Sequence, residues 1–374
     1  MTAGTLASLS NSIFASLGLA NAEDQLALGE SPHMRECLVL IDGMGAQSLS
    51  QYSKTHAIFS QAKSVTQLNS IFPTTTTVNL TSMATGVLPG VHGMLGYTVK
   101  VPRSGEPGRL LNALKWDERV DPVIWQKVPT LFERASAQGI NVSQISAKRY
   151  EGTGFTRAAL RGAQYVGANQ ISDITNGAAA ALSRDKSFTY VYINHLDVAG
   201  HEAGVGSEKW FAALSVVSDL ITQLNEKVPK GTRIWVSSDH GMVNVGEKII
   251  LGLDNDLDRD VLLYGGEPRA RHLYLTPGTV DDVKIRYEEF LKNRAIVLKK
   301  DEAITAGLFG GVVSEDSRER MGDLIVIATG DAVLIDPKRV KEESAMVGHH
   351  GGEAEIEKFI PLRSEEHTSE LQSH

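Results

Sequence analysis

Three short apolar runs, each followed within a few residues by an aspartate, constrain this chain more than any other feature. Residues 37–41 (CLVLI) lead to Asp42, residues 188–193 to Asp197, and residues 232–236 to Asp239. A run that is apolar throughout, rather than alternating, suits a strand buried on both faces. Helical spacing separates the runs, as in 207–225, where Trp210, Leu214, Val217, Ile221 and Leu224 share one face. This alternation predicts an α/β fold, a doubly wound and mostly parallel sheet with helices on both faces. In such a sheet the carboxyl ends of the strands share one edge, where ligands bind. Aspartates far apart in sequence can therefore converge.

Residues 71–93, IFPTTTTVNLTSMATGVLPGVHG, supply a different element. Four threonines precede Leu80, Met83 and Ala84 at helical spacing, and Gly86 ends the segment. We read a loop that delivers a hydroxyl to the first turn of a helix. Free N–H groups and the positive end of the helix dipole make that position a seat for phosphate or sulfate. A threonine there is a candidate nucleophile, although threonine is also a common helix cap.

Further donors follow. Asp197 and His201 stand four residues apart, which lets a carboxylate and an imidazole meet on one ion. Asp239 is followed directly by His240, and glycines around His349 and His350 permit a sharp loop that carries an imidazole into a site. The DGMG sequence at Asp42 lacks the third glycine of a dinucleotide fingerprint. Three aspartates, three histidines and a threonine suit two Zn2+, with Mn2+ or Mg2+ less well matched to so many imidazoles.

The remaining chain sets boundaries. Residues 1–36 read as an N-terminal helical extension containing a short amphipathic helix. Ala20-Asn21-Ala22 resembles a signal-peptidase site, but no Lys or Arg precedes it, so a cytoplasmic protein is expected. Residues 94–127 read as an irregular cap insertion, whose Trp116, Trp125 and Tyr97 could stack on a base or form a small apolar core. Residues 260–275 suggest a strand and a hairpin around Gly265-Gly266, with Arg269 and Arg271 expected to be solvated, the alternative being a place near an anion. A helix over 280–291 and strands at 296–298 and 324–327 complete the alternation. The single cysteine, Cys37, lies within an apolar run and is expected in the core. A net charge of -8 and a pI near 5.8 offer no basic surface for nucleic acid or an anionic membrane, and no apolar run is long enough to span one. The expected partner is a small molecule. Residues 363–374, RSEEHTSELQSH, show no helix or strand pattern and resemble the translation of a sequencing-library adapter. They are left out of the expected fold, which covers 37–362.

The ordered segments LVLIDGMG, FPTTTTVN with ATGVLPGVHG, LDVAGHEAG, SSDHGM and GHHGG resemble those of the alkaline phosphatase superfamily, in particular its type I phosphodiesterase and nucleotide pyrophosphatase branch. The resemblance covers the chain from about Cys37 to Leu362. It implies one Zn2+ held by Asp42, Asp239 and His240 together with the nucleophile, and a second held by Asp197, His201 and His350. His350 is preferred to His349 because the family's ligand directly precedes glycine. Thr76 aligns with the nucleophile, and Thr75 is its competitor. The implied reaction is hydrolysis of a phosphodiester or nucleotide pyrophosphate through a covalent phosphothreonine, on a small phosphate-ester substrate that could be a nucleotide. Where the better-studied branch has an asparagine that binds a phosphoryl oxygen, this chain has Met94-Leu95-Gly96-Tyr97. The backbone N–H of Thr77 is a candidate replacement, and Thr77, Asn79 and Tyr97 are candidate substrate contacts. Two alternatives stand beside this reading. One is a phosphomonoesterase or phosphonate-ester hydrolase that takes an extra cation from Lys148, Arg149 or Arg161. The other is a non-catalytic metal- or nucleotide-binding module.

Overall fold

In the computed structural model of the protein, residues 4–31, 33–52, 63–105 and 108–366 are described. The first apolar run becomes the strand Arg35–Ile41, buried from Glu36 onward and central to a seven-stranded sheet among the described residues. Across that sheet the strands run Lys63–Asn69, Phe359–Glu366, Arg233–Ser237, Arg35–Ile41, Ser187–Ile193, Asn141–Ser146 and Gln164–Gly167. The last five are mutually parallel, while Phe359–Glu366 is antiparallel to both of its neighbours. All three aspartate-terminated runs are thus adjacent strands of one parallel set.

Side chains alternate between the two faces, as the strand period requires. Leu38, Leu40, Phe188, Tyr190 and Trp235 face one core with the helices Leu6–Ser16, Thr76–Thr85 and Leu131–Ala137. Cys37, Val39, Ile41, Val191, Ile193 and Val236 face the other, with Ile171–Leu182 and Glu208–Lys227. The latter helix buries the predicted face from Trp210 to Leu224, and the Ser207 hydroxyl caps it by accepting from the Trp210 N–H at 3.2 Å. Cys37 is fully buried, and burial pushes its thiol up to about 12, so it acts as a core residue. Among the described residues no helix is long and apolar enough to cross a membrane.

Four expectations change once the chain is folded. The helix Leu6–Ser16 is buried on nearly all sides rather than amphipathic. Phe14 packs against Phe188 with ring centroids 4.7 Å apart, and the Asn11 amide donates to the Gly86 carbonyl at 2.8 Å, at the end of the helix Thr76–Thr85. The N-terminal segment therefore braces the threonine helix.

The strands between 261 and 328 do not continue the parallel sheet. Val261–Glu267, Ala270–Leu275, Leu324–Ala328 and Ala295–Lys299 form a separate antiparallel sheet in that order. Pro268 and Arg269 form the turn of its hairpin, too short for the crossover that a parallel pair needs. Gly265 and Gly266 lie within the strand instead.

Arg269 and Arg271 are fully buried rather than solvated. Arg269 bonds Glu357 through Nε and Nη2, both at 2.7 Å, and Arg271 pairs with Glu343.

Past Leu362, Arg363 to Glu366 continue the last strand, opposite Val236 to Arg233. They are the first residues of the tail excluded above. Ladder bonds are main-chain bonds, so a polar sequence without strand pattern can make them. Residues 367–374 lie outside the described residues.

Within 94–127, a short hairpin pairs Thr98–Lys100 with Leu110–Asn112. Trp116 and Trp125 meet edge to face at 6.5 Å, Trp116 donates to the Val120 carbonyl, and the Arg320 guanidinium covers Trp125 at 3.8 Å. The indoles are committed to packing, Trp125 within the larger core and Trp116 against it. Replacing Phe14 with Ala should cost about 3–5 kcal/mol in urea denaturation, as for other buried aromatics. A loss below about 0.5 kcal/mol would show the N-terminal helix to be dispensable.

Candidate active site

The shared carboxyl edge delivers the predicted donors to one place. Asp42 directly follows Arg35–Ile41, and Asp239 and His240 follow Arg233–Ser237. Asp197 and His201 lie one turn apart on the helix His195–Ala203, which begins just beyond Ser187–Ile193. Two trios result, Asp42 with Asp239 and His240, and Asp197 with His201 and His350, each with potential ligand atoms within 4.8 Å of one another. His240 Nε2 is 3.3 Å from Asp42 Oδ1 and 3.6 Å from Asp239 Oδ2, and His201 Nε2 is 3.3 Å from Asp197 Oδ1. His350 Nε2 is 3.8 Å from the same Asp197 oxygen. The rings of His240 and His350 stack at 3.7 Å and join the trios.

All three imidazoles are oriented in the same way. Nδ1 of His201, His240 and His350 contacts the carbonyls of Gly348, Gly241 and Thr74 at 2.7, 2.9 and 2.9 Å. A carbonyl only accepts, so each Nδ1 carries the proton and each Nε2 faces the site, free to hold either a proton or a cation. The carboxylates are prepared similarly. Asp239 Oδ1 accepts from the N–H groups of Gly43 and His240 at 3.2 and 3.0 Å, while its Oδ2 is buried without a hydrogen-bond partner, as is Asp197 Oδ1. Tyr192 donates its hydroxyl to Asp42 Oδ2. Orphaned carboxylate oxygens beside inward-facing imidazole nitrogens fit a cation of the zinc type at each trio.

Electrostatics show the cost of this convergence. Burial, and then the nearby Asp42 charge, pushes Asp239 up to about 8. For His240 burial acts downward, but the surrounding carboxylates outweigh it and raise it to about 10. Burial and the charges of His240 and His201 push His350 well below its ordinary value.

The hydroxyl of Thr76 enters from the other side. Thr76 is the first residue of the helix Thr76–Thr85, and its Oγ1 lies 3.2 Å from His240 Nε2 and 3.5 Å from both Asp42 oxygens. Thr75 occupies the N-cap position but makes no side-chain cap bond, and Thr77 donates to the Gly96 carbonyl at 3.3 Å. Thr75, Thr76, Thr77 and Tyr97 all line a cavity of about 250 Å³ with His201 and His350. Asn79 does not reach it. Its amide donates to the carbonyls of Ile71 and Thr75, and its Oδ1 accepts from the Ile71 N–H at 2.8 Å, so its polar atoms are spent on holding the threonine loop. His349 also lines the cavity, but its Nε2 is engaged by the Glu343 carbonyl at 3.0 Å. Arg161 is held by Glu133 at 3.0 Å, whereas Arg149 donates to the Tyr150 hydroxyl at 2.8 Å and contacts Asn194 Oδ1 at 3.4 Å.

Sequence reasoning missed several lining residues. Glu267 lines the same cavity as Thr76, and burial pushes its carboxyl up to about 8. A second cavity of about 150 Å³ on the Asp42 side of Thr76 is walled by Leu80, Leu114, Tyr150, Phe155 and Tyr192. These residues come from separate elements, and no local spacing marks them. The tyrosine five residues before Asp197 is the one available signal, because it sits on the same strand that positions the metal-type donors.

A profile described as "Type I phosphodiesterase / nucleotide pyrophosphatase" matches residues 37–353. The chain belongs to this family. As a family member it is a phosphodiesterase/nucleotide pyrophosphatase-type hydrolase, and the family is metal-dependent. Solved structures share the fold. Murine ectonucleotide pyrophosphatase/phosphodiesterase 5 is 16% identical over 88% of this chain and 87% of its own, with a TM-score of 0.69. An inactive form of it, in complex with AMP, is 17% identical over 88% and 87%, with a TM-score of 0.68. Phosphonoacetate hydrolase from Sinorhizobium meliloti 1021, in complex with phosphonoformate, is 16% identical over 92% of both chains, with a TM-score of 0.66. No match was found among curated proteins.

For the metal-free form of this family member, the shifts set the direction of a pH effect. Asp239 and Glu267 at about 8, and His240 at about 10, all lie above their ordinary values. Between about pH 7 and 9 the folded chain therefore binds more protons than the unfolded one, and stability falls as pH rises. Melting temperature of the chelated protein should decline across that window. A flat or rising profile would contradict the electrostatics described.

Proposed function

We propose that the protein is a two-zinc phosphodiesterase or nucleotide pyrophosphatase that works through a phosphothreonine at Thr76. The position of the Thr76 hydroxyl carries this reading: it is at the start of a helix and within 3.5 Å of Asp42 and His240. Asp42, Asp239 and His240 would hold one cation, and Asp197, His201 and His350 the other. When bound, such cations lower the pKa of coordinated hydroxyls and offset charge on phosphoryl and leaving-group oxygens.

Thr76 gives up its hydroxyl proton to solvent, its Oγ1 forms the bond to phosphorus as the bond to the leaving oxygen breaks, in line on the opposite side, and the leaving oxygen takes up a proton from solvent. The unpaired N–H groups of the first helical turn, at Thr76 and Thr77, orient the phosphoryl oxygens. Water then cleaves the phosphothreonine and restores the hydroxyl. The smaller cavity beside Thr76 suits an ester group retained on phosphorus, which a diester has and a monoester lacks. AMP bound to the murine neighbour supports a nucleotide as that substrate.

One observation favours a second reading. Among the described residues no carboxylate pairs with Arg149, and its two partners, Tyr150 and Asn194, both line the smaller cavity. Arg149 itself lines a neighbouring cavity of about 630 Å³ that shares Tyr150 and Asn194 with the smaller one, and a cation at that margin fits a substrate whose organic part is itself anionic, as phosphonoacetate is in the bacterial neighbour.

Zinc-loaded protein should hydrolyse bis(p-nitrophenyl) phosphate with a higher kcat/KM than p-nitrophenyl phosphate. Thr76→Ala should reduce it roughly 10³-fold or more, as loss of a nucleophile does elsewhere. Turnover of phosphonoacetate but of neither aryl ester would select the second reading, and zinc and phosphate binding without turnover would leave a binding module. His240→Ala and His350→Ala should each lower bound zinc from about two equivalents to about one by elemental analysis. Unchanged zinc content in both would rule out the ligand assignment.

A further inference from the structure

The smaller cavity beside Thr76 is lined from two parallel neighbours in the sheet, Asn141–Ser146 and Ser187–Ile193. The chain leaves the first of these strands toward the face that carries the helix Gly154–Ala159, and the second toward the face that carries Glu208–Lys227. Connections that depart to opposite faces leave a crevice outside the carboxyl ends of the strands, where open α/β sheets bind ligands.

Gln144 borders this cavity. It pairs across the sheet with Tyr190 and shares a face with Val142 and the helix Thr76–Thr85. Only 3% of the residue is exposed, yet among the described residues its amide makes no hydrogen bond. Neither amide atom belongs to the enclosed polar atoms that lack a partner, so the surface that Gln144 keeps includes both of them. The cavity is the open space that this surface meets.

Other polar groups around the cavity are spent within the protein. Tyr192 donates to Asp42, the hydroxyls of Thr153 and Thr156 donate to the Tyr150 carbonyl at 3.2 and 2.7 Å, and Asn194 is divided between Tyr150 and Arg149. The Oγ of Ser146 and the Oη of Tyr190 are enclosed. Leu80, Phe155 and Leu160 supply apolar walls. Burying an amide costs free energy unless something pairs with it, and one open amide in an otherwise apolar or internally satisfied pocket is what fixes the orientation of a ligand.

We propose that Gln144 is a substrate-binding residue that selects a retained ester group presenting a hydrogen-bond acceptor and donor side by side. A carboxamide and the edge of a nucleobase share that chemistry, and a glutamine amide meets either with its NH2 and its carbonyl. An aryl group without such an edge leaves the amide unpaired, so the unmade bond discriminates as much as the made one. The proposal rests on the phosphoester-hydrolase reading, which puts the retained group in this cavity.

Release of p-nitrophenolate by zinc-loaded protein is followed from three diesters: p-nitrophenyl phenyl phosphate, its p-carbamoylphenyl counterpart, and the p-nitrophenyl ester of thymidine monophosphate. Gln144→Met fills a similar volume without donor or acceptor, Gln144→Leu repeats the test in a second shape, and melting curves verify that each folds. In these variants kcat/KM for the nucleoside ester or the carboxamide, taken relative to the phenyl ester, should fall about tenfold, the scale of one or two neutral hydrogen bonds. A fall confined to the nucleoside ester identifies the group as a nucleobase, and one seen with the carboxamide identifies an amide edge in general. Unchanged ratios for both, even if all three rates drop together, would mark a packing role and overturn this proposal while leaving the hydrolase reading intact. No hydrolysis of any diester by the parent would overturn both.

Discussion

Bringing carboxylates together at one buried edge is the constraint on which the rest of this structure depends. Parallel strands place Asp42 and Asp239 at neighbouring ends, the following helix adds Asp197, and each charge raises the cost of the next. The fold lowers that cost locally. N–H groups of Gly43 and His240 hold one oxygen of Asp239, and the Tyr192 hydroxyl holds Asp42. What remains, beside the inward-facing imidazoles, is a pair of buried carboxylate oxygens, Asp197 Oδ1 and Asp239 Oδ2, without a hydrogen-bond partner among the described residues. Cations complete such a set, so binding and stability are linked through the same groups.

Two loops must stay in register for this to work, and Thr74 joins them. Its N–H donates to the Gly351 carbonyl at 3.2 Å, its hydroxyl contacts Gly351 N and Gly352 O, and its carbonyl receives His350 Nδ1. The four threonines thus divide the work: Thr74 knits the loops, Thr75 takes the N-cap position, Thr76 faces the site and Thr77 anchors Gly96. Behind the His350 loop, Glu357 accepts from Gly352 N at 2.9 Å while bonded to Arg269. The two buried arginines therefore brace the segments on either side of His350. Such pairs contribute little net stability, but losing one partner strands a charge, so they hold geometry more than they add energy.

Much of the site was legible because its signals are local. Apolar runs ending in aspartate, an Asp and His one helical turn apart, and a histidine pair between glycines each bear on a short stretch of backbone. The helix over 280–291 was equally clear, with Val283, Tyr287 and Leu291 buried on one face. Where the reading failed, the deciding partner was distant. Leu6–Ser16 is enclosed because Thr76–Thr85 and Phe188 lie against it. Arg269 and Arg271 look like surface residues until Glu357 and Glu343 arrive from far along the chain. Asn79, a candidate substrate contact in the sequence, spends its polar atoms on Ile71 and Thr75 of the threonine loop.

The sequence alone determined which strands are buried on both faces, where they end, and which donors those ends carry, because side-chain period and strand termination are properties of consecutive residues. It also determined the family, through five motifs in order. Only the tertiary structure decided that the strands of 261–328 form their own antiparallel sheet, that Thr76 rather than Thr75 faces Asp42 and His240, and that Glu267 lines the cavity with its Oε2 on the Tyr97 N–H. Each of those outcomes depends on the three-dimensional packing of segments remote in the chain, which leaves no periodic mark in either segment.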